Sequence, residues 1–226
     1  MTQIPTILQQ LQGTSAYSTL VNIENAYRRI GEEQNIWYEK THFLCPNGCG
    51  SCCMGFEPDL FEGEAMYMAA WLLENRYETA VKITHSEFPF DNGKKTCPLF
   101  NTDSAFHCSA YHGRPFVCRL FGASSFRGKN GGKLWRPCKF YPEEKLSGHN
   151  PPLEKRSYSE SETINAIGTI PPLMSDLTEN AFSADSTAQT TLLRRILPDM
   201  IIKLLWLISM NDNDTPNGTP SSPIAA

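Results

Sequence analysis

Residues 45–53 read Cys-Pro-Asn-Gly-Cys-Gly-Ser-Cys-Cys and place four cysteines within nine positions. Closely spaced thiolates chelate a metal well, because a short loop brings the ligands together at little cost in chain entropy. Thiolates also select zinc, Cu(I) or iron–sulfur clusters over hard cations. The two glycines tolerate positive φ and let the backbone curl around a bound ion. This stretch therefore predicts a metal site.

The other four cysteines follow within the same part of the chain. All eight lie between Cys45 and Cys138, and none lies in the remaining 132 residues. The first basic residue is Arg28, so the N-terminal stretch lacks the basic region of an export signal, and we expect a cytoplasmic protein. In a reducing compartment, clustered thiols bind metal or do chemistry more often than they form disulfides. A disulfide-stapled domain is the alternative, but such domains are typically small and secreted.

The composition of the chain argues against several classes of protein and of binding partner. A hydrophobic content of 40% with 11% aromatic residues excludes a wholly disordered chain. The net charge of −4 gives no bulk attraction to nucleic acid. The longest apolar stretch, residues 200–210, is interrupted by Lys203 and is shorter than the roughly 20 residues of a membrane span. A metal ion or cluster is therefore the expected partner.

Helices are predicted at both ends of the chain. A first helix shows apolar residues on one face, and Gly31 would weaken or end it. A last helix is expected to begin at Pro198, which suits a first turn, and to pack on the first; a dimer interface is the alternative. From Asn211 onwards the chain is polar, and we predict a disordered tail. The two apolar faces consist of Leu20, Ile23, Tyr27 and Ile30, and of Leu197, Met200, Ile201, Leu204, Leu205 and Ile208.

The middle of the chain contains shorter patterns, each of which predicts one helix, strand or turn. Asp59 could cap a helix with Glu62 at its third position, and the buried face would include Ala65, Met68, Ala69, Leu72 and Leu73. Residues 81–90 could form a short strand that ends in a turn at residues 91–93. Residues 127–133 are typical of a hairpin turn, and residues 160–166 of a short helix.

These signals predict an α+β fold in which a small, irregular, cysteine-rich metal-binding core is framed by N- and C-terminal helices. The predicted divisions are an N-terminal helical segment, residues 1–41; a cysteine-cluster domain, residues 42–145; a linker with the C-terminal packing helix, residues 146–210; and the tail, residues 211–226.

Cys45, Cys49 and Cys52 also have the spacing of radical S-adenosylmethionine enzymes. Those motifs normally precede repeated βα units of a partial barrel. Here one helix and then more cysteines follow, so we interpret the match as coincidental.

The second set of cysteines carries a more specific motif. It comprises Cys97-Pro98-Leu99-Phe100, the segment Cys108-Ser-Ala-Tyr111-His-Gly-Arg114-Pro-Phe-Val-Cys118-Arg-Leu-Phe121, and Cys138. Together with the first cluster and a helix containing Glu64, residues 42–141 resemble the YkgJ-type cysteine-cluster family. One departure is that three residues separate Cys45 from Cys49, where the family usually has two.

The resemblance implies a zinc- or iron-chelating domain, found mostly in bacteria. Flagellin lysine N-methylases carry a similar cluster, so an iron–sulfur-dependent protein N-methylase is one alternative function. A purely structural zinc module that binds a protein partner is another. No Ser-His-Asp or paired-carboxylate arrangement can be recognised from spacing, so no catalytic residue is assigned.

The cysteines are expected to hold an iron–sulfur cluster or zinc. Because successive side chains of an extended segment point to opposite sides, Cys52 and Cys53 should serve different ligand groups. We therefore favour one centre, or two neighbouring ones, built from both halves of the motif over two independent four-cysteine sites. His42, His107 and His112 are spare candidates, and Arg114 and Arg119 could neutralise thiolate charge. The predicted ligands are Cys45, Cys49, Cys52, Cys53, Cys97, Cys108, Cys118 and Cys138.

Overall fold

The structure is a computed structural model, and it describes residues 2–41, 43, 49–93, 95–104, 106–182 and 189–213. Within these ranges it has ten helices and five short strands, which confirms the predicted α+β class. In chain order the elements are α1 (Pro5–Gln10), α2 (Ser15–Thr41), α3 (Ser51–Met54), β1 (Asp59–Leu60), α4 (Glu62–Asn75), α5 (Tyr77–Thr84), α6 (Phe116–Leu120), β2 (Ser125–Arg127), β3 (Lys133–Trp135), α7 (Glu143–Ser147), β4 (Tyr158–Ser159), α8 (Glu160–Ile167), α9 (Met174–Phe182), β5 (Thr191–Leu192) and α10 (Leu193–Asn213).

Helix α4 is the centre of a helical layer. Each of its residues from Glu64 to Leu73 is buried, as expected of a helix that is apolar on nearly every side. Helices α1, α2, α5 and α10 pack around it. The predicted buried face of α4 is confirmed.

Helix α2 connects this layer to a second core. Its predicted apolar face, Leu20 to Ile30, is buried, and the helix continues through Gly31 to Thr41. Thr14 caps its start, since the hydroxyl accepts a hydrogen bond from the Tyr17 amide at 3.2 Å. Twenty-seven residues give a length of about 40 Å. The helix therefore reaches Trp37, which belongs to the second core.

The second core is small and aromatic. Trp135 is fully buried on β3 and lies 5.2 Å from the Phe43 ring, centroid to centroid. Strands β2, β3 and β4 form an antiparallel sheet, and β2 and β3 are the predicted hairpin. The predicted helix after residue 159 is also present, with Ser159 and Glu162 forming a capping box.

Two predictions about local structure were wrong. Residues 81–90 are not a strand, because α5 ends at Thr84 and buries Ala80 and Ile83, which are one helical turn apart. The turn that follows is confirmed by a hydrogen bond from the Gly93 amide to Asp91 Oδ1. Asp59 does not cap α4: it pairs with Leu192 in a two-stranded sheet, and α4 begins after Phe61.

The C-terminal helix differs most from expectation. It begins at Leu193, so Pro198 lies inside it, and its packing partners include α4 and α5. Arg194 secures this earlier start, because its backbone amide and side chain both donate to the Glu57 carboxylate. The helix also includes Asn211, which had been assigned to the tail and donates to the Gln10 carbonyl at 2.7 Å. The rest of the predicted tail, residues 214–226, lies outside the described residues.

In the described part of the chain, no helix combines the length and apolar character that crossing a membrane requires.

Candidate metal centre

Seven cysteines line one cavity of about 180 Å³. They come from both halves of the motif, and all seven are free thiols. Five separate parts of the chain therefore contribute cysteines to this one site. They are the loop before α3, α3 itself, the loops between α5 and α6, α6, and the turn after β3. The seven are Cys49, Cys52, Cys53, Cys97, Cys108, Cys118 and Cys138.

The adjacent cysteines lie on α3, a single helical turn. Cys52 Sγ and Cys53 Sγ are 3.9 Å apart, and both side chains line the cavity. The expectation that they diverge was wrong, because successive side chains on a helix are separated by about 100° and not by the 180° of a strand. The turn is closed by a hydrogen bond from the Cys53 amide to the Gly50 carbonyl.

Backbone contacts join the two halves of the motif directly. The Cys97 amide donates to the Cys53 carbonyl at 2.8 Å. Gly50 packs closely against the second half, since a Cβ at this position would lie 2.5 Å from the His107 Cβ. A larger residue at position 50 would therefore push the first loop away from the segment that carries Cys97 and Cys108.

Cys118 is positioned by the buried carboxylate of Glu64, which is 2% exposed. One carboxylate oxygen accepts from the Phe61 amide at the start of α4, at 3.1 Å. The other accepts from the Phe116 amide at the start of α6, at 2.6 Å. Because α6 carries Cys118, Glu64 connects the centre of the helical layer to one wall of the cavity.

The far end of α6 is held by a second buried polar residue. Gln34 of α2 donates its side-chain amide to the Arg119 carbonyl at 2.8 Å and to the Ala123 carbonyl at 3.3 Å. The helix that carries Cys118 is thus fixed at both ends by side chains from the helical layer.

Cys138 packs against Gly122, whose φ is +75°. A Cβ at Gly122 would lie 2.8 Å from the Cys138 Cβ. We expect Gly122→Ala to destabilise the fold by more than the ~1–2 kcal/mol of left-handed strain alone, because Cys138 would also be displaced. Urea unfolding measures the change.

The matched control for this substitution is Gly131→Ala. Gly131 has a φ of +80° but nothing within 4 Å of the added Cβ, so it incurs the same backbone strain without the contact. Equal losses of stability in the two variants would contradict the role of the Gly122–Cys138 contact.

The rest of the cavity wall is mostly aromatic and apolar, with two cationic side chains, Arg114 and Arg119. Phe106 and Tyr111 stack with centroids 4.0 Å apart, and the Arg114 guanidinium lies 3.8 Å from the Tyr111 ring centroid. Two further wall residues, Tyr38 and Leu193, lie outside the cysteine-rich part of the chain, residues 45–138. Sequence reasoning missed both, because neither stands in a pattern that connects it to the motif.

Burial disfavours the charged form of most of these thiols. It raises the pKa of Cys97 to about 12, and it also raises the pKa of Cys108, Cys118 and Cys138. Cys52 is the exception: a hydrogen bond from the Cys53 thiol lowers its pKa to about 7, and Arg114 acts in the same direction. Several buried thiolates can therefore coexist here only with a compensating cation.

Some predicted candidates do not line this cavity. Of the described residues that line it, none is a histidine: His112 lies beside Trp71, and His107 packs on Phe100 and Gly50. Cys45 and His42 lie outside the described residues. Among the described residues, no three Cys, His, Asp or Glu side chains are grouped closely enough to hold an ion as they stand.

Comparison with known proteins supports the resemblance. Residues 44–147 match the model of the CxxCxxCC family, described as a "putative zinc- or iron-chelating domain". The match covers a little under half of the chain and spans seven of the lining cysteines together with Cys45. No curated protein and no solved structure matches the chain significantly.

Proposed function

We propose that this CxxCxxCC domain uses both halves of its cysteine motif to hold one shared thiolate metal centre, an iron–sulfur cluster or zinc. The observation that carries the proposal is the cavity lined by seven cysteines from both halves. Cys45 belongs to the same cluster in sequence, and we include it among the ligands.

The donor set fits such a group. Thiolates are the ligands that zinc and iron–sulfur clusters take in proteins, and the cavity supplies them in an apolar surrounding. Burial makes uncompensated thiolates costly, whereas a bound cation offsets that cost. Coordination would draw the thiols inward, and each ligand would lose its proton.

The number of thiols supports more than one metal ion. A single structural zinc takes four ligands in a tetrahedron. Seven cysteines around one cavity exceed that number, so the arrangement favours either neighbouring zinc ions or an iron–sulfur cluster. Adjacent Cys52 and Cys53, both directed at the cavity, could then bind different metal ions of one centre.

Anaerobic purification tests which group is held. An iron–sulfur protein should be brown with absorbance near ~400 nm and should contain iron and acid-labile sulfide. A colourless protein with bound zinc would support zinc instead. A protein that contains neither metal in stoichiometric amount, even after reconstitution with each, would contradict the proposal.

Metal affinity should rise steeply with pH. In the metal-free protein, thiols with raised pKa, such as Cys97 with a pKa of about 12, are protonated at neutral pH. Since binding releases those protons, the apparent Kd for zinc should fall about 10-fold per pH unit for each proton released. We expect a fall of at least ~100-fold between about pH 6.5 and pH 8.5.

Competition with a chromophoric chelator, corrected for the chelator's own protonation, measures this dependence. Cys52 should contribute least above its pKa of about 7, because it is already a thiolate there. A Kd that does not change over this range would show that the buried thiols are not ligands.

A further inference from the structure

A second cavity, of about 500 Å³, lies between the N-terminal half of α2 and the segment before α6. Unlike the cysteine cavity, its lining is mostly polar, and its charged side chains include Glu24, Arg28 and Arg119. Tyr27, Tyr67 and His112 also line it. The metal centre proposed above makes no use of this pocket.

Arg119 is held by several contacts of its guanidinium. Its Nε donates to the Arg114 carbonyl at 2.8 Å, and its Nη2 donates to the His112 carbonyl. Its guanidinium carbon lies 3.7 Å from the centroid of the Tyr27 ring. Hydrogen bonds to carbonyls and ring stacking thus fix the position of the guanidinium.

This partly buried guanidinium has no carboxylate partner among the described residues. None of the ion pairs in the described ranges includes Arg119. Charges withdrawn from water are normally paired in proteins, because an uncompensated one is costly to desolvate. An anion in the pocket that Arg119 lines would supply the oxyanion partner that this guanidinium lacks.

The carboxylate of the pocket is already engaged. Glu24 Oε1 accepts hydrogen bonds from the Thr2 hydroxyl, from the Gln3 amide and from the Tyr67 hydroxyl, at 2.8, 2.8 and 3.1 Å. Glu24 Oε1 thus already has three donors. The charged side chains of the lining comprise this one carboxylate and the two guanidinium groups of Arg28 and Arg119, so their sum is positive.

The mouth of the pocket carries one guanidinium group. Arg28 is exposed there, 3.9 Å from the Glu32 carboxylate, and His112 is exposed there too. Burial, with the positive charges of Arg114 and Arg119, lowers the pKa of His112. A negative group that enters the pocket would meet these two side chains first and Arg119 last.

We propose that this pocket binds the oxyanion group of a small molecule, a carboxylate or a phosphate, with Arg119 as its principal contact. The planar guanidinium donates in a geometry that matches both groups. Arg28 attracts the ligand at the rim, where a charge contributes less because water screens it. Arg119 lines both cavities, so an anion bound here would contact a side chain that also belongs to the wall of the cysteine cavity.

The test titrates the full-length, metal-loaded protein with inorganic phosphate and with acetate at constant ionic strength in chloride. Calorimetry measures the binding of each anion, and broadening of the phosphorus NMR line checks the binding of phosphate. Saturable binding of either probe is expected. Phosphate alone would identify a phosphorylated ligand, and acetate binding would identify a carboxylate.

Neighbouring arginines on α2 provide a matched pair of variants. Arg28→Gln, at the mouth, should weaken binding about 2- to 5-fold. Arg29→Gln removes the same charge from an exposed position that does not line the pocket, and it should leave the Kd unchanged. Arg119→Gln should weaken binding more than ~10-fold, whereas Arg119→Lys should retain part of it.

The proposal is overturned if neither probe binds above the chloride background, or if Arg28→Gln and Arg29→Gln weaken binding equally. The Arg28 comparison remains decisive if the Arg119 variants fail to fold, because Arg28 is exposed on the surface of α2. Metal content is measured in each sample, so a failure of the metal centre is distinguished from a failure of this pocket.

Discussion

Cys118→Ser is expected to remove nearly all of the bound metal, and not half of it. Cys118 lies on α6 and lines the cavity together with Cys49, Cys52 and Cys53 of the first cluster. If the halves share one centre, loss of this thiolate opens the whole centre and should weaken the binding of every ion by at least ~10-fold. Two independent four-cysteine sites would instead leave the first one fully occupied.

Elemental analysis after dialysis against a weak chelator measures the metal per chain. Ser109→Ala is a suitable control, since Ser109 adjoins Cys108, its hydroxyl is buried without a partner, and it does not line the cavity. This control should keep the full complement of metal. A Cys118→Ser protein that retains half of its metal, with an unchanged first site, would contradict the shared centre.

Complete removal of the metal should unfold the part of the chain that surrounds the cavity while the helical layer persists. Between residues 95 and 141 the described residues form one five-residue helix and two three-residue strands. So little regular structure leaves few backbone hydrogen bonds to hold this segment once its ligand bonds are lost. By contrast, α2, α4 and α10 contribute most of the residues of an extensive buried core.

We therefore expect limited proteolysis within residues 95–141 to become at least ~10-fold faster after chelation, with most of the far-UV helical signal retained. Near-UV circular dichroism should change, because Trp135 lies within this segment and packs among the aromatic residues of the second core. The same chelator saturated with zinc serves as the control. An unchanged cleavage pattern in a protein shown to be metal-free would rule out a structural role for the metal.

The parts of this fold that could be predicted from sequence are those in which one periodicity dominates. The apolar face of α2 from Leu20 to Ile30 follows from spacing alone. So does one buried face of α4, which consists of Ala65, Met68, Ala69, Leu72 and Leu73. The hairpin at residues 127–133 has the glycines that its turn requires. The extended assignment of residues 81–90 failed because a short apolar stretch fits a strand or a helix until its packing partner is known.

The cysteine cavity was predictable in the residue type that lines it and only partly in its construction. Cysteine spacing indicates chelation, yet α3 directs Cys52 and Cys53 to one cavity, which an extended loop would not do. The role of Glu64 was hidden for a different reason. Its partners are the backbone amides of Phe61 and Phe116. Almost every residue has a backbone amide, so the sequence does not indicate which ones Glu64 binds.

Two wall residues of the cysteine cavity define the smallest fragment that could be expected to work alone. Tyr38 precedes the matched family segment, residues 44–147, and Leu193 follows it by more than forty positions. Gln34, which holds the end of α6, also lies before that segment. An excised family segment would lack these side chains and would expose the apolar wall that they complete. Engineering or transplanting this centre therefore requires α2 and the start of α10 as well as the cysteines.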